Sequence, residues 1–269
     1  MDIALFAAVL LAIGAFAGIL AGLLGVGGGI VLVPAFFYAF RSLGFDGPDL
    51  MQVCVATSLA TIVVTSIRSV LSHRRKGSVD MEVLRSWAPG IVVGALVGTW
   101  LATQLDTRGL QMIFACLAMI VALYLAFGAG GLKFGDQMPR GATRAGVSAV
   151  IGCLSTLMGI GGGSLGVPTM SLYGMPIHRA VGTAAGFGLA IAVPSTLGFL
   201  LARVDGAPPL TVGSVNLPAF GLIIAMTLVT TPWGVELAHR MDPTPLKRVF
   251  AGFLFLVAVN MGLEALGVL

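Results

Sequence analysis

The chain alternates long apolar runs with short polar segments. Long runs without a charged residue include residues 3–40, 50–67, 86–105, 109–132, 145–177 and 206–235. A helix needs about 20 predominantly apolar residues to cross a bilayer, so these runs are typical of transmembrane helices. No polar stretch is long enough to form a soluble domain. The pattern therefore predicts an all-α polytopic membrane protein.

The first apolar run is too long to be one helix. Its 38 residues would form a helix of about 57 Å, nearly twice the hydrocarbon thickness of a membrane. The sequence GVGGG at residues 25–29 predicts the break, because glycine has the largest backbone entropy cost in a helix and tolerates positive φ. Pro34 follows, and its fixed φ and missing N–H suit the first turn of a helix. We therefore predict a short helix that starts at Pro34.

The same stretch recurs in the second half of the chain. Residues 25–34 read GVGGGIVLVP, and residues 159–168, 134 positions later, read GIGGGSLGVP. The second copy predicts another short helix, which starts at Pro168. A looser echo links GSVD at residues 77–80 with GSVN at residues 213–216. These matches predict two repeats, residues 1–128 and 141–269, which are joined by a linker at 129–140 and form one integrated membrane domain.

Each repeat is predicted to hold one Gly-broken helix, re-entrant or discontinuous, and three transmembrane helices. The predicted spans are residues 50–71, 86–104, 109–127, 181–201, 215–237 and 249–266. A basic cluster at residues 68–85 indicates a cytoplasmic loop. Counting crossings from that loop puts 12 of the 15 Lys and Arg residues in the cytoplasm, with both termini outside. The count also gives each repeat an odd number of crossings, so the repeats are predicted to be inverted.

Composition supports the membrane assignment and narrows the function classes. Hydrophobic residues make up 57% and charged residues 10% of the chain, whereas soluble domains have about 25% charged residues. The net charge of +4 comes from loop residues, so nucleic acid is not an expected partner. The three cysteines lie in apolar segments without metal-ligand spacing, and no metal or cofactor is expected. We find no HExxH motif, paired aspartates or Ser–His arrangement at membrane depth, so an enzyme is not expected.

Paired breaks at matching positions of two repeats are the best sequence pointer to a transporter's binding site. The short helices would aim their N–H groups at the middle of the membrane, which suits an anion. The carbonyl ends of the preceding helices lie in the same region and leave a cation open. Nearby hydroxyls could bind a substrate oxygen or bond back to their own helix. The predicted substrate-binding residues are Gly25, Gly27, Gly28, Gly29, Thr57, Ser58, Gly159, Gly161, Gly162, Gly163, Ser164 and Thr183.

The remaining polar residues are candidates for ion coupling or for helix capping. Glu236 and His239 lie near the predicted inner end of a span, and ionisable residues there suggest a coupling proton or cation. Asp80 and Asn216 are predicted to be N-caps of corresponding helices. The expected partners are a small anionic substrate and membrane lipid, and a homodimer is left open.

The two Gly-rich copies, a threonine after each, and the GSVD and GSVN loops make the chain resemble the TauE/SafE family. That family is also known as the 4-toluene sulfonate uptake permeases. The resemblance implies a bacterial inner-membrane carrier of small anions, often sulfite or organosulfonates, with the Gly-rich stretches facing the transport path. We therefore expect a secondary transporter that works by alternating access. A passive anion channel of the same fold and a non-transporting membrane assembly subunit are the alternatives.

Overall fold

The computed structural model describes residues 3–24, 28–127, 134–135, 137–240 and 243–268. In that part of the chain it contains ten helices and one two-stranded hairpin. These are α1 (Ile3–Leu24), α2 (Gly29–Ser42), α3 (Leu50–Arg75), α4 (Met81–Ala102), α5 (Thr107–Phe127), α6 (Gly141–Leu157), α7 (Gly163–Leu172), α8 (Ile177–Leu201), β1 (Thr211–Val212), β2 (Val215–Asn216), α9 (Leu217–Arg240) and α10 (Pro243–Ala265). Six of the helices, α3, α4, α5, α8, α9 and α10, are long and apolar enough to cross a membrane. The all-α polytopic fold is confirmed.

The six predicted spans match these helices, although several helices begin earlier than the apolar runs do. At α4 the difference arises because a polar residue caps the helix before the apolar segment begins. At the start of α4, the Asp80 carboxylate accepts hydrogen bonds from the N–H groups of Glu82 and Val83. At the start of α9, the Asn216 side-chain oxygen accepts from the N–H of Ala219. Both predicted N-caps are therefore confirmed.

The predicted positions of Pro34 and Pro168 at helix starts are wrong, because both prolines lie inside their helices. Helix α2 begins at Gly29 and α7 at Gly163, so each proline is the sixth helical residue. Each break therefore ends five residues earlier than predicted, because Gly29 and Gly163 are already the first helical residues. A proline at that position removes the hydrogen bond to the carbonyl four residues before it.

Helices α2 and α7 are short. They contain 14 and 10 residues, which correspond to about 21 and 15 Å of helix, against about 30 Å of hydrocarbon. Neither helix therefore crosses a membrane alone. Each forms the short limb after a break, as the sequence predicts.

The most extensive contacts among the ten helices keep their pattern when the first five helices and the last five are exchanged. Helix α1 packs on α9, and α6 packs correspondingly on α4. Helices α3 and α8 pack on each other, as do α5 and α10, while α2 and α7 lie against α3 and α8. The first helix of each set thus lies on the fourth helix of the other set. This pairing gives the two halves of the chain a shared core.

Glycines allow the exchanged helices to approach closely. A Cβ at Gly94 of α4 would stand 1.9 Å from the Ala149 carbonyl oxygen of α6. At the corresponding contact of α1 with α9, a Cβ at Gly18 would stand 2.0 Å from Thr230 Oγ1. Small residues at membrane helix contacts let backbones pack without a side chain between them.

The hairpin before α9 is a feature that the sequence analysis missed. Strands β1 and β2 are antiparallel, with Thr211 opposite Asn216 and Val212 opposite Val215. The two-residue loop between them contains Gly213 at φ 58°, the left-handed geometry that tight hairpins require. The predicted span from residue 215 therefore begins at Leu217 instead. The signal was the sequence TVGSVN, in which β-branched residues flank Gly-Ser.

The predicted inversion of the two repeats leads to a first testable expectation. Single cysteines introduced as Lys76→Cys and Val212→Cys, in a background lacking the three native cysteines, should react with a membrane-impermeant reagent from opposite sides. Lys76 is exposed after α3 and Val212 is exposed in the hairpin. Gly213 is a poorer position because its Cβ would stand 2.4 Å from the Leu200 carbonyl oxygen. Labelling of both cysteines from the same side would exclude inverted repeats.

Candidate substrate site

The two Gly-rich breaks meet at the centre of the helix packing. A Cβ at Gly29 would stand 2.6 Å from the carbonyl oxygen of Gly159 and 3.0 Å from Ile160 Cα. The buried Ser58 hydroxyl, on α3, donates to the same Gly159 carbonyl at 2.7 Å. Gly28 and Gly159 have φ values of 72° and 63°, so each break contains a left-handed residue that favours glycine. The structure thus brings residues of both predicted breaks and α3 together.

The second break lies directly on α8. A Cβ at Gly162 would stand 2.4 Å from Phe187 Cβ, 2.7 Å from the Ala184 oxygen and 2.8 Å from the Gly188 nitrogen. One turn further along α7, a Cβ at Gly166 would stand 2.9 Å from the Phe187 ring. The glycines here leave no gap between α7 and α8.

An aromatic pair covers this contact. Trp87 of α4 stacks on Phe187, with ring centroids 6.0 Å apart and an interplanar angle of 18°. Trp87 is 1% exposed and Phe187 is fully buried. Sequence reasoning missed this pair because the two residues lie 100 positions apart and neither belongs to a repeated motif. The pair closes the start of α7 on the side facing α4.

Ser164 places an unpartnered hydroxyl in the first turn of α7. The residue is 5% exposed, and its Oγ has no hydrogen-bond partner within the described chain. The first N–H groups of a helix have no partners inside that helix. Leaving a buried polar group without a partner costs about 1–3 kcal/mol. The start of α7 is therefore a buried, uncharged set of hydrogen-bond donors.

The first break lacks this polar character. Ile30 occupies the position in α2 that Ser164 occupies in α7, and Val31 and Leu32 follow it. All three are buried and apolar. The two Gly-rich copies therefore differ in polarity, and this difference lies at the point where the breaks meet.

Thr57 and Thr183 bond across the two halves. The Thr57 hydroxyl accepts a hydrogen bond from the backbone N–H of Asn216 at 3.0 Å, and the Thr183 hydroxyl accepts from that of Asp80 at 2.9 Å. Both threonines are fully buried. The predicted alternative, bonding back to their own helices, is not what the structure shows. A role in substrate binding stays a prediction, and it would compete with these bonds.

We call these two contacts the threonine latches. Each joins a threonine of one central helix to the loop that precedes the fourth helix of the other half. Their surroundings differ in charge. Asp80 also accepts a hydrogen bond from Arg179 at 2.8 Å, whereas the Asn216 side chain donates to the Pro209 carbonyl and the Thr211 hydroxyl. One latch therefore includes an ion pair and the other is neutral.

The other predicted residues are distributed as follows. Gly161 is buried in the second break and Gly163 starts α7. Gly25 and Gly27 lie outside the described residues, as does the side chain of His239. Glu236 is exposed near the end of α9. A coupling role for Glu236 and His239 stays a prediction.

Comparisons with known proteins agree with this architecture. The family described as "Sulfite exporter TauE/SafE" matches residues 10–261. A probable membrane transporter protein of Haemophilus influenzae is 32% identical to the chain, over 94% of the chain and 97% of the relative. A probable membrane transporter protein of Methanocaldococcus jannaschii is 25% identical, over 94% of both chains. The probable membrane transporter protein YunE of Bacillus subtilis is 23% identical, over 96% of this chain and 98% of its own.

No solved structure matches the chain. The family match covers nearly all of the sequence, including both Gly-rich breaks and both threonine latches. The chain therefore belongs to the TauE/SafE family of membrane transporters.

Proposed function

We propose that the protein is a bacterial inner-membrane secondary transporter of a small anion, namely sulfite or a related sulfur oxyanion or organosulfonate. The observation that carries this proposal is the meeting of two Gly-rich breaks at the centre of the packing, where the short helices α2 and α7 begin. Helix N-termini offer N–H groups and a partial positive charge to an anion. The description of the family as sulfite exporters makes sulfite the first substrate to test.

Alternating access is supported by the threonine latches. Thr57 lies on α3 and Thr183 on α8, and these two helices pack on each other at the centre. The loops that they hold, before α9 and α4, are predicted to lie on opposite sides of the membrane. Release of one latch while the other holds would open the breaks to one side only. This is the arrangement that a carrier needs and a continuously open channel does not.

Counterflow in proteoliposomes tests the proposal. Vesicles preloaded with unlabelled sulfite and diluted into trace radiolabelled sulfite should accumulate label above its equilibrium level, because a carrier exchanges one bound anion for another. Protein-free vesicles are the control. Equilibration of the label without accumulation would support the passive channel, and no sulfite movement at all would contradict transport of this anion.

The latches predict a crossed pattern of local stability. Thr183→Val leaves the partly buried N–H of Asp80 without its partner, which costs about 1 kcal/mol, so amide exchange should accelerate in the loop before α4. Thr57→Val should instead accelerate exchange in the hairpin that contains Asn216. Hydrogen exchange followed by mass spectrometry of these two segments measures the effect.

Thr61→Val is the matched control for this experiment. Its hydroxyl donates to the Ser58 carbonyl of its own helix at 2.6 Å, so neither distant loop should respond. The latches do not hold the loops if amide exchange accelerates only in the half that carries the substitution, or if it accelerates in neither loop.

A further inference from the structure

We propose that the first turn of α7 is an anion subsite, in which the Ser164 hydroxyl and the first N–H groups of the helix bind oxygen atoms of a compact oxyanion. This inference rests on the proposed function and assigns the binding to the second break alone. The equivalent turn of α2 carries Ile30 and supplies no side-chain donor. The two halves would therefore contribute unequally to substrate binding.

The first step of the argument is the state of Ser164 itself. Its hydroxyl is buried and has no hydrogen-bond partner among the described residues, although serine hydroxyls in helices commonly bond back to a preceding carbonyl. Thr169, on the same helix, does so by donating to the Leu165 carbonyl at 2.7 Å. A free hydroxyl beside the free N–H groups of a ten-residue helix gives several donors at one point.

A second hydroxyl faces the same region from α3. Ser66 is 5% exposed, and its Oγ lies 2.7 Å from the point where a Gly188 Cβ would stand. The backbone nitrogen of Gly162 lies 3.5 Å from that point. Ser66 Oγ and Gly162 N are therefore no more than about 6 Å apart. The Ser66 hydroxyl therefore lies close to the N-terminal end of α7, where Gly162 precedes the first helical residue.

The surroundings limit the size of the anion. The ring and Cβ of Phe187 lie against Gly162 and Gly166, and Trp87 supports that ring from behind. Binding of an oxyanion with a single central atom would displace these side chains less than binding of a sulfonate that carries an aromatic ring. We therefore assign the subsite to anions of the size of sulfite.

Trp87 provides a direct readout of the subsite. The chain has three tryptophans, and the other two, Trp100 and Trp233, are 62% and 60% exposed. Trp100→Phe combined with Trp233→Phe leaves Trp87 as the only indole, in contact with the ring that covers the start of α7. Titration of this purified protein with sodium sulfite should change the Trp87 fluorescence saturably. Choline sulfite should give the same curve, and sodium chloride should not.

Ser164→Ala in this background should weaken sulfite binding about 10- to 150-fold, because a hydrogen bond to a charged group is lost. Alanine is the best helix former, so the helix itself is retained. Ser171→Ala is the matched control, since Ser171 is another serine of α7 with an unpartnered hydroxyl but lies two turns further along. Its affinity should stay within about twofold of the parent.

The outcomes separate the subsite from the function. Equal sulfite affinities for Ser164→Ala and Ser171→Ala, a response to sodium alone, or no response to sulfite would overturn the subsite. If the parent shows counterflow while Ser164→Ala binds sulfite normally, transport stands and the subsite is wrong. If sulfite binds in a Ser164-dependent way but no counterflow occurs, the subsite stands and the transport proposal fails.

Discussion

Gly162→Val is expected to reduce anion uptake by about a hundredfold. The substituted Cβ would overlap Phe187 Cβ, the Ala184 oxygen and the Gly188 nitrogen, at 2.4, 2.7 and 2.8 Å. Two of these atoms belong to the backbone of α8, so relief requires that α7 move away from it. Displacement of binding groups by about 1 Å is enough for a loss of this size. Uptake in proteoliposomes, normalised to folded protein, is the measurement.

Crowding, rather than backbone strain, is the reason for this effect. Gly162 has φ −62°, which any residue adopts without strain. A single added Cβ already overlaps atoms of α8, so Gly162→Ala should be impaired as well. Gly28 is the opposite case, because its φ of 72° makes Gly28→Ala unfavourable by about 1–2 kcal/mol. Gly146→Ala is the control, since Gly146 lies in α6 and no atom of the described residues stands within 4 Å of its Cβ position. Normal uptake by Gly162→Val would show that the second break is not part of the transport path.

Gly94→Val is expected to destabilise the fold and to lower the yield of folded protein. Its Cβ would stand 1.9 Å from the Ala149 oxygen and 2.8 Å from Ala149 Cα, so α4 and α6 would have to separate along their length. Overpacking of a well-packed contact costs about 1–3 kcal/mol, and more where backbone must move. We expect a lower yield of monodisperse protein and a melting temperature reduced by several degrees.

The contrast with Gly162 lies in the behaviour of the molecules that fold. Gly94 lies on the contact between α4 and α6, away from the start of α7, so the folded fraction of Gly94→Val should bind sulfite with the parent's affinity. Gly221→Ala, at a position on α9 with no atom within 4 Å, should leave both stability and binding unchanged. Weakened sulfite binding in fully folded Gly94→Val would mean that helix packing and the site are coupled.

The helices could be predicted from the sequence because hydrophobic length determines what can cross a membrane. The breaks could be predicted because glycine is costly inside a helix. The prolines misled the prediction, since Pro34 and Pro168 are tolerated in the second turn once Gly29 and Gly163 have started the helix. The hairpin of residues 211–216 was hidden because its strands contain only two residues each.

The candidate site was predictable only in part. Ser164 stands out in the sequence because it breaks the likeness between the two Gly-rich copies. The sequence repeats both parts of the threonine latches, since each half has a threonine after its Gly-rich stretch and a loop that ends in Asp or Asn. Only the fold shows that each threonine bonds to the loop of the other half. The Trp87–Phe187 stack has no counterpart in any sequence pattern, because it depends on how α4 meets α8.

The exchanged pairing of the helices also bears on how the molecule is synthesised. Helix α1 packs on α9, which leaves the ribosome nearly 200 residues later, a delay of roughly 10–40 s at ordinary rates of translation. During that time the glycine-containing face of α1 lacks its partner, and the corresponding face of α4 lacks α6 until about 40 further residues have been made. A nascent chain that stops in the linker would present these uncovered faces to membrane proteases. The two halves made as separate chains should accumulate only when both are produced in the same cell.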